Sequence, residues 1–247
     1  ASLQSMAVDA AVNAALQEQK HQLSKLYEQR LAKELSERWP ESGGSDGDVR
    51  FSHATVLFAD IPNYVTVAER LSSVELSELV KKFYGSAGDT VHLFGARHIQ
   101  FIGEGLLAVF VDSSDTKSVN HGLRAVRAAL GLVESAHGIR QYLQTQYPGR
   151  SLPRFEVNIA LHSGPVTLTL LQDPLHGTAA QWLPVGDAVS ATMLLQRQTH
   201  ALGWSISASV PTLRSITGAV KIDRRALVEL PGRSTPVDAA EVVALAI

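Results

Sequence analysis

Cysteine is absent from the chain. Its absence excludes a disulfide framework, a thiolate metal site and a cysteine nucleophile, and it suits a reducing compartment. No stretch approaches the roughly 20 consecutive apolar residues of a membrane span, and no signal-peptide h-region can be read. Runs of like charge are short. With 22 Lys and Arg against 24 Asp and Glu, the basic stripe of a nucleic-acid groove is missing. The nine histidines form no H-x-x-x-H pair, and Gly-x-Ser-x-Gly does not occur, so His162 in "ALHSGP" reads as a strand residue rather than a catalytic base. The cytoplasmic side of a membrane is the expected location. The opening "ASLQSMAVDAA" lacks an initiator Met, as expected of a piece of a longer protein, so a membrane anchor outside this chain stays open.

What remains is a 247-residue chain, 45% apolar and 19% charged, able to bury a sizeable core. Residues 7–39 hold no Gly or Pro, and Val12, Leu16, Leu23, Leu26, Leu31 and Leu35 recur at helical spacing. Residues 1–40 are therefore expected to be a long N-terminal helix, either a packing appendage or, through an irregular heptad, a dimerising coiled coil. "PESGGSDGD" gives a flexible linker over 41–49, and the globular domain is expected over 50–247.

Within that domain "HATVLFADI" reads as a buried strand. "VTVAERLSSVELSELVKKFYGSAGDTVHLFG" reads as one or two amphipathic helices, and residues 115–146 as another long one. "RFEVNIALHSGPVTLTLL" gives a strand or a hairpin turning at Gly164 and Pro165. The order is that of an α+β, ferredoxin-like βαββαβ core. It is followed by a short strand near Trp182, a helix from Asp187 to Leu202, and strands at "WSISASV" and "ALVEL".

Between the second and third strands lies "GEGLLAVF". Gly103, Gly105 and Ala108 satisfy the G-x-G-x-x-A dinucleotide fingerprint, but that fingerprint works only where a helix N-terminus follows. Here an apolar run closed by Asp112 follows, and "RHIQFI" precedes. A β-hairpin tip is the better reading, with the glycines supplying positive φ and Glu104 held out on the turn.

In this topology Asp60, at the end of "LFAD", and Glu104 project from neighbouring strand ends. Two such carboxylates make a hard oxygen site suited to Mg²⁺ or Mn²⁺ bridged to phosphates. The alternative is that Asp60 caps the next turn and Glu104 is solvated. The ordered blocks "TVLFADIPNYVTVAERL", "FIGEGLLAVF", "VNIALHSGPV" and "PVGDAVSATMLLQR" resemble the class III adenylyl and guanylyl cyclases, over roughly residues 51–245. The resemblance implies a domain that dimerises head to tail, with purine nucleoside triphosphate sites built from both chains. It also implies two metals that activate the ribose 3′-hydroxyl for attack on the α-phosphate.

Carried over by position, the resemblance puts the metal carboxylates on Asp60 and on Glu104, the latter a methylene longer than the usual Asp, and a metal-binding carbonyl on Ile61. The base-reading lysine corresponds to Gln100 and its partner to Leu183. The expected asparagine, transition-state arginine and phosphate-binding lysine correspond to Ser190, Leu194 and Pro231. Gln100 can donate and accept toward a purine edge, whereas Leu183 cannot. Arg197 and Arg233 lie near the lost cations as substitutes for phosphate contact, or else are a solvated helix residue and a turn residue. Loss of donors aimed at developing phosphoryl charge removes orders of magnitude in rate. Three readings follow: a degenerate, regulatory homodimer; the metal-binding half of a heterodimer with an intact cyclase domain; and an active cyclase with a divergent site.

Overall fold

Residues 54–59 are apolar but for Thr55, and the strand they belong to, β1 (Val49–Asp60), is buried through this stretch and paired on both edges. The computed structural model describes residues 47–112, 119–171 and 181–246, together with helical positions 11, 12, 14, 15 and 18. The rest of the helix expected over 1–40, and residues 41–46 of the expected 41–49 linker, lie outside the described residues, and Val49 at its end already belongs to β1.

After β1 come helices α1 (Tyr64–Arg70) and α2 (Ser73–Leu93), the hairpin of β2 (His98–Ile102) and β3 (Gly105–Val111), and α3 (His121–Gln146). Then follow β4 (Asn158–Leu171), β5 (Gln181–Val185), α4 (Asp187–Leu202), β6 (Ile206–Ser209), a short α5 (Val210–Arg214), β7 (Val220–Val228) and β8 (Val237–Leu245). The eight strands form one sheet in the order β2-β3-β1-β4-β6-β8-β7, with β5 beside β4. Its β2-β3-β1-β4 portion is the expected ferredoxin-like core, antiparallel at every step.

Local chemistry sets the helix boundaries. Ser72 and Glu75 form a capping box at the start of α2, each side chain bonding the other's backbone N–H. Asn120 caps α3 by accepting from Gly122 N at 2.7 Å. The residues of β1 and β3 that face α1, α2 and α3, such as Leu57, Leu106 and Phe110, are buried with Tyr84, Leu132 and Phe155 in the main core. On the opposite face Val56, Phe58, Leu107 and Val109 pack with Val166, Ala188 and Val189, and Ala191 and Leu195 of α4 extend that cover over Ala160, Val228 and Ala239. A polar tie crosses the core. Thr55 Oγ1 lies 2.6 Å from His121 Nδ1 and 2.8 Å from Ser163 Oγ, which lies 2.8 Å from Thr212 Oγ1. It fastens the first turn of α3 and the α5 turn to the central strands.

One alternative is decided, one expectation is corrected and one strand is added. Of the strand and the hairpin that the sequence left open at Gly164 and Pro165, the structure has the strand: β4 runs unbroken through both. Phe51 pairs with Val166 and Ala54 with Gly164, so two residues of β1 bulge opposite Pro165, where the missing N–H leaves no rung to fill. At the hairpin only Gly103 has positive φ, +57°. Gly105 is needed for a different reason: a Cβ there would lie 2.8 Å from Phe58 Cζ and 3.0 Å from the Ala59 carbonyl oxygen. The alanine-rich β8 escaped the sequence reading. Alanine is a poor strand former on propensity, yet Ala239 and Ala240 are fully buried between β6 and β7.

The terminal strands of the main path, β2 and β7, differ. β2 is five residues long. β7 exposes Lys221, Asp223, Arg224 and Arg225, with Arg224 paired to Glu241 of β8 at 2.8 Å.

Gly105→Ala is expected to destabilise the domain by about 1–3 kcal/mol, because the added methyl meets backbone and an aromatic ring that pack the sheet. Gly103→Ala, which adds only left-handed strain in open space, should cost about 1–2 kcal/mol. Urea unfolding of both variants measures the difference.

Candidate functional site

The hairpin tip and the end of β1 meet by register. Ala59 pairs with Leu106 and Ile102 with Gly105, so Asp60 lies one step on, beside the two-residue turn that carries Glu104. Both carboxylates are half-buried. Asp60 Oδ1 accepts a hydrogen bond from Ile61 N at 2.8 Å, which bends the chain out of the strand toward α1. The opposite neighbour of Asp60 is Asn158 of β4.

Two buried tyrosines unforeseen from sequence support this end. Tyr84 of α2, 1% exposed, donates its hydroxyl to the Gly103 carbonyl at 3.0 Å and so fixes the turn. Tyr64, in the first turn of α1, has its hydroxyl pushed well above the usual phenol range by burial, then by Tyr84 and the negative charge of Glu104. That influence places Glu104 toward Tyr64. The sequence signal was the aromatic four residues after Asp60; nothing local pointed to Tyr84, 19 positions from Gly103.

Two oxygen-only side chains at one strand end fit a hard divalent cation. Among the described residues no group of three or more His, Cys, Asp or Glu comes together. Asp60, Glu104 and the Ile61 carbonyl would therefore hold such an ion only with oxygens brought by another molecule.

Gln100 lies two strands from Asp60, paired with Leu107, which itself pairs with Phe58. The alternating burial of β2 puts it with His98 on the face away from α2 and α3. His98 Nε2 is 3.3 Å from Gln100 Oε1. Burial pushes the His98 ring down to about 4, against the opposing effect of Gln100 and with a smaller contribution from Arg97. A neutral ring thus flanks Gln100 at physiological pH.

The remaining positions lie elsewhere. Leu183 pairs with Thr169, 11 residues along β4 from Asn158, which at about 3.3 Å per residue is on the order of 35 Å from the Asp60 end. Along α4, Ser190 and Arg197 are exposed and Leu194 is half-buried against the Trp204 cluster. Pro231 is exposed in the β7–β8 turn. Two residues beyond it, Arg233 makes a bidentate pair with Asp187, the first residue of α4, at 2.6 and 2.9 Å. The structure thus gathers Asp60, Ile61 and Glu104, with Gln100 nearby, and leaves Leu183 at the other end of the sheet.

Residues 48–237 match the family model of the adenylate and guanylate cyclase catalytic domain. The chain belongs to this family. Adenylate cyclase 1 of Rhizobium meliloti (strain 1021) is 24% identical over 215 residues, which cover 86% of this chain and 31% of that protein. The cyclase domain described here thus spans about a third of the length of that curated relative. Among solved structures, the adenylyl cyclase CyaB from P. aeruginosa shares the fold with a TM-score of 0.69 at 20% identity, covering 79% of this chain and 95% of that one. The guanylate cyclase domain of RhGC from Catenaria anguillulae, solved with GTP, has a TM-score of 0.62 at 23% identity over 80% of this chain and 99% of that one.

Two measurements check the supports of this cyclase domain. Tyr84→Phe should cost about 0.5–1.5 kcal/mol of stability by removing the hydroxyl from the Gly103 carbonyl, read by urea unfolding. The Asp187 carboxyl is held below its ordinary range first by its hydrogen bonds to Arg233. A depressed folded-state value stabilises above the unfolded value and is lost as pH falls through the folded one. Asp187→Asn should therefore cost no more than about 1 kcal/mol at neutral pH, as an exposed pair. That cost should shrink as the pH is lowered through and below the ordinary carboxylate range.

Proposed function

We propose that this cyclase domain binds a purine nucleoside triphosphate together with Mg²⁺ or Mn²⁺ at its Asp60–Glu104 end, assembles as a homodimer, and acts in cyclic-nucleotide signalling with weak or no turnover of its own. The observation that supports this most is the split of site positions over one sheet. Gln100 and the carboxylates occupy the β1–β3 end, and Leu183 occupies the far end of β4 and β5. A complete pocket therefore calls for a second copy turned head to tail. The apolar Leu171, Leu183 and Val185, 47%, 37% and 38% exposed, gather beside one another at that far end and favour burial against such a partner.

At the carboxylate end the fit is to a divalent cation, which when bound with nucleotide supplies charge neutralisation and activation of a hydroxyl. Two carboxylates alone are a poor cage for a strongly hydrated ion, so phosphate oxygens complete the shell. Gln100 meets the purine edge with its amide, and neutral His98 steadies that amide without adding charge. The opposite wall is chemically poor. Leu183 offers no polar atom, Ser190 and Leu194 no cation, and Pro231 no donor. Arg233 is engaged by Asp187, and Arg197 stands exposed on α4. A phosphate charge developing here meets no cation where the family usually supplies one, which is why turnover is expected to be small.

Mn²⁺ alone should raise the thermal midpoint little, and Mn²⁺ with ATP or GTP more. Asp60→Asn combined with Glu104→Gln should remove the nucleotide-dependent rise; a rise that survives overturns the metal assignment. The purified chain should form cyclic nucleotide at least about 10²–10³-fold more slowly than an intact cyclase domain, the usual effect of one lost stabiliser. Gln100→Lys, Leu183→Asp, Ser190→Asn and Leu194→Arg together should recover part of that activity. Mixing with an intact cyclase domain tests the heterodimer reading, in which this chain supplies the carboxylates and its partner the missing Asn, Arg and Lys. Robust product from the unmodified chain would defeat the proposal and turn attention to Arg197 and Arg233.

A further inference from the structure

A second concave site lies at the same end of the sheet but on the other side of β4 from β1. Its volume is about 250 Å³, and its polar walls are His137 and Arg140 of α3, Arg154 and Glu156 of the segment entering β4, and His200 in the last turn of α4. We propose that this cleft binds a phosphate-class oxyanion between Arg140, Arg154 and the two histidines.

The geometry of the two guanidinium groups carries the proposal. Arg140 is anchored: Nε and Nη2 donate to the Phe155 carbonyl at 3.3 and 3.0 Å, and Nη1 lies 3.2 Å from His137 Nδ1. An arginine held this way is pre-organised, and it keeps further N–H groups beyond those three contacts. With Nδ1 accepting from Arg140, the His137 ring carries its proton on Nε2, a further donor. Arg154 meets Glu156 through Nε alone, at 3.3 Å, so the pair is not a bidentate fork and the terminal nitrogens of Arg154 are uncommitted to that carboxylate.

Charge agrees with geometry. Arg140 and Arg154 line the same cleft, with Glu156 as the carboxylate beside them. Arg140 is pushed below its ordinary value by burial and by the facing Arg154, with Glu156 opposing. A bound oxyanion offsets that repulsion and accepts from both forks. Arg140 and Arg154 also line a second groove of about 490 Å³, with Tyr147, Pro148 and Leu152. Since Asn158 lines the cleft and also pairs with Asp60, the two sites share a strand end without sharing a side chain. An oxyanion here would tie the last turn of α4 to α3.

The test uses the whole chain in chelator, without divalent metal, at fixed ionic strength and neutral pH. Sodium phosphate replaces sodium chloride in steps while the thermal midpoint and the heat of binding are followed. A saturable response to phosphate and none to chloride is expected. Arg154→Gln with His200→Gln, both exposed positions, should weaken phosphate binding by about tenfold or more, the equivalent of about 1.4 kcal/mol. Their metal-dependent nucleotide response should stay unchanged. Should that double variant unfold more easily in chloride alone, Arg154→Gln by itself serves, judged against its own chloride baseline. Asp60→Asn with Glu104→Gln should bind phosphate as the parent does. A response no larger than that of chloride overturns the proposal, as does one unaffected by Arg154→Gln. Loss of phosphate binding in the Asp60 and Glu104 variant overturns it too, by assigning the anion to the carboxylate end. Because the readout is metal-free, the cyclase proposal can fail without this one, and the reverse.

Discussion

Everything that positions chemistry in this domain depends on β1 having a neighbour on each edge and a buried side chain on each face. Antiparallel pairing to β3 carries the hairpin tip to Asp60, and antiparallel pairing to β4 carries Asn158 to its other side. A one-residue slip in either ladder would turn Asp60 from the open face into the helix-covered core. The register is held against such slips by the apolar 54–59 stretch and by the bulge opposite Pro165. Close packing of Phe58 and the Ala59 carbonyl against Gly105 adds to it. Glu104 reaches the strand end only because the position next to it carries no side chain.

The strands and helices that read well from sequence were those in which one local pattern decided the outcome. Asp187–Leu202 has helical periodicity, an acidic first turn and a left-handed Gly203 at its end, and it was legible nearly to the residue. The hairpin was legible because an apolar run, and not a helix start, follows Gly105. What escaped depended on distant partners. Pro165 left strand and hairpin both open because a proline in a central strand is acceptable only if the neighbouring strand bulges, and the bulge lies more than a hundred residues earlier. The alanines of β8 looked unlike a strand because their burial is decided by β6 and β7.

The same division holds for the candidate site. Asp60 and Glu104 could be paired on paper because topology alone brings their strands together. The bond from Ile61 N to Asp60 is local and matches the capping role the sequence offered for Asp60, whereas the bond from Tyr84 to Gly103 is a contact whose partner no spacing rule identifies. Arg233 shows the opposite lesson. By position it stands near a lost phosphate ligand, but folding sets it against Asp187, and its charge is then shared before any ligand arrives. A cation counted in sequence is not a cation available in space.

The edge strands β2 and β7 carry devices against unwanted pairing. Bare strand edges invite another chain to add a strand, and proteins avoid this with short or charged edge strands. Here the edge strand β2 is five residues long, and the edge strand β7 displays Lys221, Asp223, Arg224 and Arg225. Lateral growth into fibrils is thereby discouraged at both ends. Contacts between copies are then left to side chains, which choose a partner more selectively than a bare backbone ladder does.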